Sequence, residues 1–150
     1  MKKLTKALRI AAEAHEGQND RFGQPFVLHP IRVMLRMDPS KEEELTAALL
    51  HDVVEKSSWT LDDLEKAGFS QAVLDAVECL TKKPEEPYME YIRRVRKNAL
   101  AVAVKRADLE DHLEALRIRG MLDGDPERKA RYEEAFRALR GTSSWNDPFR

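Results

Sequence analysis

Ala47-Ala48-Leu49-Leu50-His51-Asp52-Val53-Val54-Glu55 is an apolar run interrupted by three polar, ionisable side chains. Its spacing predicts a buried helix, with Leu45, Ala48, Leu49 and Asp52 recurring on one face. An aspartate on that face is costly unless something pairs with it. His51 and Glu55 are four apart, which makes them neighbours on a helix surface. His51 and Asp52 are adjacent and cannot share one face fully, yet both can reach a single ion lodged beside the helix. The alternative at this point is a core histidine next to a satisfied aspartate.

Upstream, residues 4–15 predict a first helix with Leu4, Leu8, Ala11 and His15 as its inner stripe. His15 is read as a core hydrogen-bonding residue rather than a ligand. Residues 17–24 form a polar loop, Pro25 to Leu28 a short extended lead-in, and His29-Pro30 opens a second helix with proline in its first turn. Ser40 and Glu43 have the spacing of a capping box for the helix that carries His51 and Asp52. Downstream, Thr60 and Asp63 form a second such pair, for a short helix ending near Gly68, and Ser70 caps the next. Helices are then predicted over 88–96, 99–117 and 127–140, the last after an Asp123-Gly124-Asp125-Pro126 turn. Val104, Asp108, His112 and Leu116 share one face of the long helix. Residues 141–150 read as a tail, with Trp145 and Phe149 able to dock it. No stretch alternates as a strand does. The expectation is an all-α bundle of about seven or eight helices, with residues 1–140 as one domain.

Composition narrows the function. Twenty-six basic and 27 acidic residues leave a net charge of −1, which argues against a nucleic-acid polymer as partner. The basic run Arg93-Arg94-Val95-Arg96-Lys97 is read as a solvated helix face. Cys79 is the only cysteine, so no intrachain disulfide forms. No apolar run has signal-peptide or membrane-spanning character, and a soluble cytoplasmic protein without a membrane partner is expected.

Six pieces in order carry a family resemblance: Ala14-His15-Glu16-Gly17-Gln18, Gly23-Gln24-Pro25-Phe26, His29-Pro30, Ala47 to Glu55, Leu80-Thr81-Lys82, and Val104 to Asp108. Together they resemble the HD-domain metal-dependent phosphohydrolases, and within these the (p)ppGpp hydrolase domains of RelA/SpoT type and their small stand-alone relatives. The likeness covers roughly residues 1–117. It implies a helical bundle and assigns His29, His51, Asp52 and Asp108 as metal ligands. Two imidazoles and two carboxylates without a thiolate suit Mn²⁺, with Fe²⁺, Zn²⁺ or Ni²⁺ as alternatives.

In the hydrolase pattern, Glu55 begins a Glu-Asp pair that orients or deprotonates the attacking water. This chain departs from the pattern at the next position, where Lys56 stands in place of the aspartate. An ammonium is no base at neutral pH, but it can hold a phosphate. A basic pair becomes Asp20-Arg21, leaving Arg21 as a candidate phosphate contact. An asparagine four positions after Asp108 becomes His112, which contacts substrate or simply packs. Lys105 reaches a phosphate or solvent, and Tyr88 stacks on a base or packs in the core. The implied function is metal-dependent hydrolysis of a small phosphorylated nucleotide, with (p)ppGpp-like 3′-pyrophosphate removal as first candidate. The alternative is a catalytically weakened bundle that binds metal and nucleotide as a sensor or regulatory module. Oligomeric state is not legible.

Overall fold

Six consecutive side chains, Leu45 to Leu50, are buried, so this helix is enclosed on every side. The computed structural model describes residues 2–118 and 124–140. Its helices are α1 (Lys2–Ala14), α2 (Leu28–Leu35), α3 (Glu42–Leu50), α4 (Val53–Lys56), α5 (Leu61–Lys66), α6 (Gln71–Leu80), α7 (Tyr88–Val95), α8 (Ala99–Ile118) and α9 (Pro126–Leu139). Among the described residues the only β-type pairing is an isolated bridge between Asn19 and Pro25. The all-α expectation holds, with nine helical segments described rather than seven or eight. The additional one is α4, a single turn that the sequence reading merged with α3. The tail calls on Trp145 and Phe149, and Asp123 of the predicted turn, lie outside the described residues. No described helix is long and apolar enough to cross a membrane.

Helix α3 is the axis of the fold, packed against α1, α2, α6 and α8. Thr46, Ala47 and Ala48 are small, which lets neighbouring helices approach closely. The inner face of α1 is Ala7, Ile10 and Ala11, whereas Leu8 is 42% exposed. Of the predicted stripe, Ala11 and His15 are buried and Leu4 packs against the core, while Leu8 points outward and Ala7 and Ile10 take the inner positions. The lead-in to α2 is likewise a turn through Phe26 and Val27 rather than an extended segment.

The capping expectations divide. Thr60 and Asp63 form the complete capping box of α5, and the Ser70 hydroxyl accepts the Val73 amide at the start of α6. Gly68, at φ +92°, supplies the left-handed turn that ends α5. Ser40 and Glu43 do not form a box. Ser40 instead donates both its amide and its hydroxyl to Asp38, and Glu43 accepts the hydroxyl of Ser70. Glu42, Glu43 and Glu44 in the first turn of α3 favour its positive dipole end without a cap hydrogen bond.

Arg94 corrects the reading of its basic run as a solvated face. Its guanidinium donates to both carboxylate oxygens of Glu86 at 3.0 and 2.9 Å, and to the carbonyls of Glu78, Cys79 and Thr81. It thus closes the C-terminal end of α6 against α7. The Arg94 hydrogen bonds hold the Glu86 carboxyl down at about 2. Glu86 therefore contributes fully above the ordinary carboxylate range and loses its contribution as pH falls through about 2. Arg94→Met should cost about 2 kcal/mol in urea unfolding. Arg94→Lys should recover only part of it, because an ammonium cannot fork across both groups.

Candidate functional site

A helix start, a break between two helices and the middle of a long helix bring the polar groups together. His29 lies in the first turn of α2, beside Pro30. The α3 helix ends at Leu50, and the Nδ1 of buried His51 donates to the Ala48 carbonyl at 2.6 Å. That side-chain bond occupies a carbonyl at the end of the helix. Asp52 follows at φ −105°, ψ −3°, as the N-cap of α4. The predicted continuous helix through 47–55 is therefore broken at His51-Asp52, and this break turns both side chains toward one point. Asp108 enters from the middle of α8.

One ligand atom from each of His29, His51, Asp52 and Asp108 lies within 4.8 Å of the others. His29 Nε2 is 2.8 Å from Asp108 Oδ1 and 3.6 Å from Asp52 Oδ2. His51 Nε2 is 3.0 Å from Asp52 Oδ2 and 3.4 Å from Asp108 Oδ1, yet makes no hydrogen bond with either. A buried nitrogen facing two carboxylates without a hydrogen bond, with its other nitrogen already fixed, fits an imidazole aimed at a shared ion. The donor set is one a divalent cation can use.

Burial opposes charge on every member, and the mutual pairing overcomes it. Burial disfavours the His29 imidazolium, but hydrogen bonds to Asp108 and Asp111 raise its pKa above the ordinary value. Burial acts the same way on His51, and the Asp52 and Asp108 carboxylates push it up to about 10. Asp52 and Asp108 are held below the ordinary carboxylate range against their own burial, chiefly by His51 and Lys105 respectively.

Three residues, Asp111, Arg32 and Lys105, support the cluster from outside it. Asp111 Oδ2 accepts from His29 Nδ1 at 2.7 Å, and Arg32 Nε holds the same carboxylate at 2.9 Å. This fixes the ring so that Nε2 faces the cluster. The only trace in the sequence is that Asp111 stands three residues after Asp108 and Arg32 three after His29, a spacing that assigns no partner by itself. Lys105 is 9% exposed and donates to Asp108 Oδ2 at 2.7 Å, with its ammonium over the rings of Tyr91 and Tyr88. The solvent-exposed alternative for Lys105 is thus overturned, and its charge is committed to Asp108. Tyr88 packs partly buried in this layer and also lies under the Arg131 guanidinium. His15 is core, as expected, bonded to Gln18.

Beside the cluster opens a cavity of about 630 Å³. His29, Arg32, Asp111 and His112 form its inner wall, and Arg21, Lys56, Phe26 and Arg128 line it as well. His112 faces it as predicted, with Nε2 3.2 Å from Asp108 Oδ1 and its ring stacked on Tyr132. Arg21 reaches the cavity but pairs with Asp125 at 3.5 Å. Asp20, which stands where the hydrolases carry a cation, accepts the Phe22 and Gln24 amides and so shapes the loop. Glu55 is exposed, and its carboxylate accepts the Lys82 amide at 2.9 Å. It is not part of the cavity wall.

Comparison with known proteins places the fold in a family. A family model described as the HD domain matches residues 7–137. The bifunctional (p)ppGpp synthase/hydrolase SpoT of Escherichia coli strain K12 is 39% identical over 84 residues, 55% of this chain and 12% of that protein. A guanosine-3′,5′-bis(diphosphate) 3′-pyrophosphohydrolase of Vibrio cholerae is 32% identical over 139 residues, 84% of this chain and 19% of that protein. The chain thus spans less than a fifth of the length of these two relatives. Among solved structures, a metazoan ortholog of SpoT described as hydrolysing ppGpp superposes with a TM-score of 0.76 at 29% identity, covering 95% of this chain and 88% of that one. With the family model matched over nearly its whole length and its helices in the same arrangement, the chain belongs to the HD-domain family.

Proposed function

We propose that the protein is a metal-dependent phosphohydrolase of a small phosphorylated nucleotide, with (p)ppGpp and removal of its 3′-pyrophosphate as first candidate. The observation that carries this reading is the convergence of His29, His51, Asp52 and Asp108 within 4.8 Å beside a cavity lined by cations and aromatic rings. We take residues 1–140 as the working unit. The relatives named for this activity support the choice of substrate.

In this reading His29, His51, Asp52 and Asp108 hold one divalent ion, Mn²⁺ by preference for a set of two imidazoles and two carboxylates, with Fe²⁺, Zn²⁺ and Ni²⁺ as alternatives. When bound, the ion supplies Lewis acidity that acidifies the attacking water and neutralises charge on phosphorus. Asp111 and Lys105 keep His29 and Asp108 in place, so the site needs little rearrangement on loading. Lys105 occupies one oxygen of Asp108 and leaves the other for the cluster. Tyr132 and His112 line the cavity as a stacked pair of rings. Arg21 and Lys56 lie at the cavity for phosphate groups.

Metal binding in this scheme is proton-linked. In the metal-free protein His51, pushed up to about 10, is imidazolium at neutral pH, and the His29 pKa is raised in the same direction. The stability they give that form is complete below the ordinary histidine value and is lost as pH rises through the raised values, about 10 for His51. Each must lose a proton to ligate. Mn²⁺ affinity should therefore climb with pH above neutrality, by as much as about two log units per pH unit while both protons are displaced. Calorimetry in buffers of different ionisation enthalpy checks this by counting released protons. Affinity independent of pH between 7 and 8 would contradict the ligand role of the two imidazoles.

A second reading, a bundle that binds metal and nucleotide without turning it over, is favoured by one specific observation. Glu55 is engaged by the Lys82 amide, and Lys56 replaces its carboxylate partner. The two readings separate in a screen of nucleotide phosphates against Mn²⁺-loaded protein. Metal-dependent release of phosphate or pyrophosphate from any of them establishes the enzyme. Saturable binding with no release from the whole set establishes the sensor.

A further inference from the structure

Four cationic side chains line the cavity, and three are already committed. Arg21 and Arg128 pair with Asp125, and Arg32 with Asp111. Among the described residues, Lys56 is the lining cation with no carboxylate partner. Its ammonium lies over the Phe26 ring, 4.7 Å from the centroid. Phe26 in turn packs against His29 at 5.7 Å. The uncommitted charge is thus one aromatic ring away from the metal cluster, on the same cavity wall.

Gln18 holds both halves of this pair. Its side-chain amide donates to the Lys56 carbonyl at 2.7 Å and to the Ala14 carbonyl at 3.2 Å. Its backbone carbonyl accepts the Phe26 amide at 2.9 Å. The orientation of the Gln18 amide follows from these partners. Its nitrogen faces two carbonyls, so its oxygen must be the atom facing His15 Nδ1 at 3.0 Å. An oxygen there accepts, so the neutral His15 ring carries its proton on Nδ1. Burial keeps His15 neutral by lowering its pKa. A buried ring therefore locks Gln18, and Gln18 locks the backbone at Lys56 and at Phe26.

We propose that Lys56 and Phe26 form a subsite for a second phosphate group of the substrate, apart from the one presented to the metal cluster, and that Gln18 is the residue that positions it. The proposal rests on the nucleotide reading above and specifies its substrate class: a nucleotide with phosphate at two positions. An ammonium over an aromatic face is a strongly hydrated point charge kept in one place, suited to one phosphate rather than to the bidentate grip of arginine. Gln18 does not itself contact the phosphate in this scheme. It acts by fixing where Lys56 leaves the backbone.

Calorimetric titration of Mn²⁺-loaded protein with guanosine 3′,5′-bisphosphate and with guanosine 3′-monophosphate tests it. The wild type should prefer the bisphosphate by about tenfold. Lys56→Met should abolish that preference. Gln18→Leu should weaken the bisphosphate severalfold and leave the monophosphate unaffected. Gln18→Glu should fail as Gln18→Leu does, because a carboxylate cannot donate to the Lys56 carbonyl. In a Lys56→Met background, Gln18→Leu should add nothing, which a general loosening of the fold would not produce. The subsite is overturned if the wild type ignores the second phosphate, if Lys56→Met keeps the preference, or if Gln18→Leu weakens both nucleotides equally. The outcome is separable from the hydrolase reading. Preference through Lys56 without any phosphate release keeps the subsite and removes the enzyme, whereas turnover without preference does the reverse.

Discussion

Lys56→Asp should raise the turnover of guanosine 3′-diphosphate alarmones by about 10²–10⁴, the range a positioned acid–base group typically contributes. The chain has Glu55 at the position that begins the hydrolase carboxylate pair, but its carboxylate accepts the Lys82 amide and it lies outside the cavity wall. Lys56 lines the cavity. An aspartate at that position would bring a carboxylate to the wall without altering His29, His51, Asp52 or Asp108. It would also remove a cation from the neighbourhood of the metal cluster. The same change removes the charge proposed to hold a second phosphate, so KM should rise while kcat increases. The unaltered protein should accordingly hydrolyse these alarmones weakly. Equal kcat in the two proteins would show that a second carboxylate is dispensable here.

The other large effect is expected at Asp108. Its two oxygens are divided between Lys105 at 2.7 Å on one side and His29 at 2.8 Å on the other. Asp108→Ala should remove any metal-dependent activity and also destabilise the metal-free protein by about 3–5 kcal/mol. The loss is of this size because the change strands a buried ammonium beneath Tyr88 and Tyr91 rather than merely deleting a contact. The Lys105 pKa is held well above its ordinary value against burial chiefly by Asp108. Adding Lys105→Met to Asp108→Ala should therefore recover stability without recovering activity. Urea unfolding of the two variants distinguishes this from a simple packing defect. A loss below about 1 kcal/mol in Asp108→Ala would mean that Lys105 does not depend on it.

Much of this was legible in the residues. Thr60 with Asp63, and Ser70, announced their helices because the cap chemistry is local. Ser40 with Glu43 had the same spacing but failed, since Asp38 and Ser70 offered better partners from outside the motif. The break at His51-Asp52 was hidden for a related reason. Propensity favours a continuous helix, and only the side-chain bond from His51 to Ala48 reveals where its ladder ends. On α1 only Leu8 was misplaced, because periodicity ranks leucine above alanine, whereas Ala7 and Ile10 take the buried positions beside Ala11. The four cluster residues were named together through the family resemblance; from the residues themselves only His51, Asp52 and Asp108 stood out, as polar groups in apolar helical rows. The roles of Lys105, Asp111 and Gln18 depend on partners brought in from other turns or segments, and spacing alone cannot assign them. Lys105 also looked like one more surface lysine in a chain that is 35% charged.

His29, His51, Asp52 and Asp108 should hold one divalent ion between them. Elemental analysis after reconstitution with Mn²⁺ and desalting tests it most directly, on the wild type, His51→Ala, Asp52→Asn and a Glu55→Gln control. One equivalent of metal is expected in the wild type and in Glu55→Gln, and none in His51→Ala or Asp52→Asn. Unchanged occupancy in His51→Ala and Asp52→Asn would contradict it.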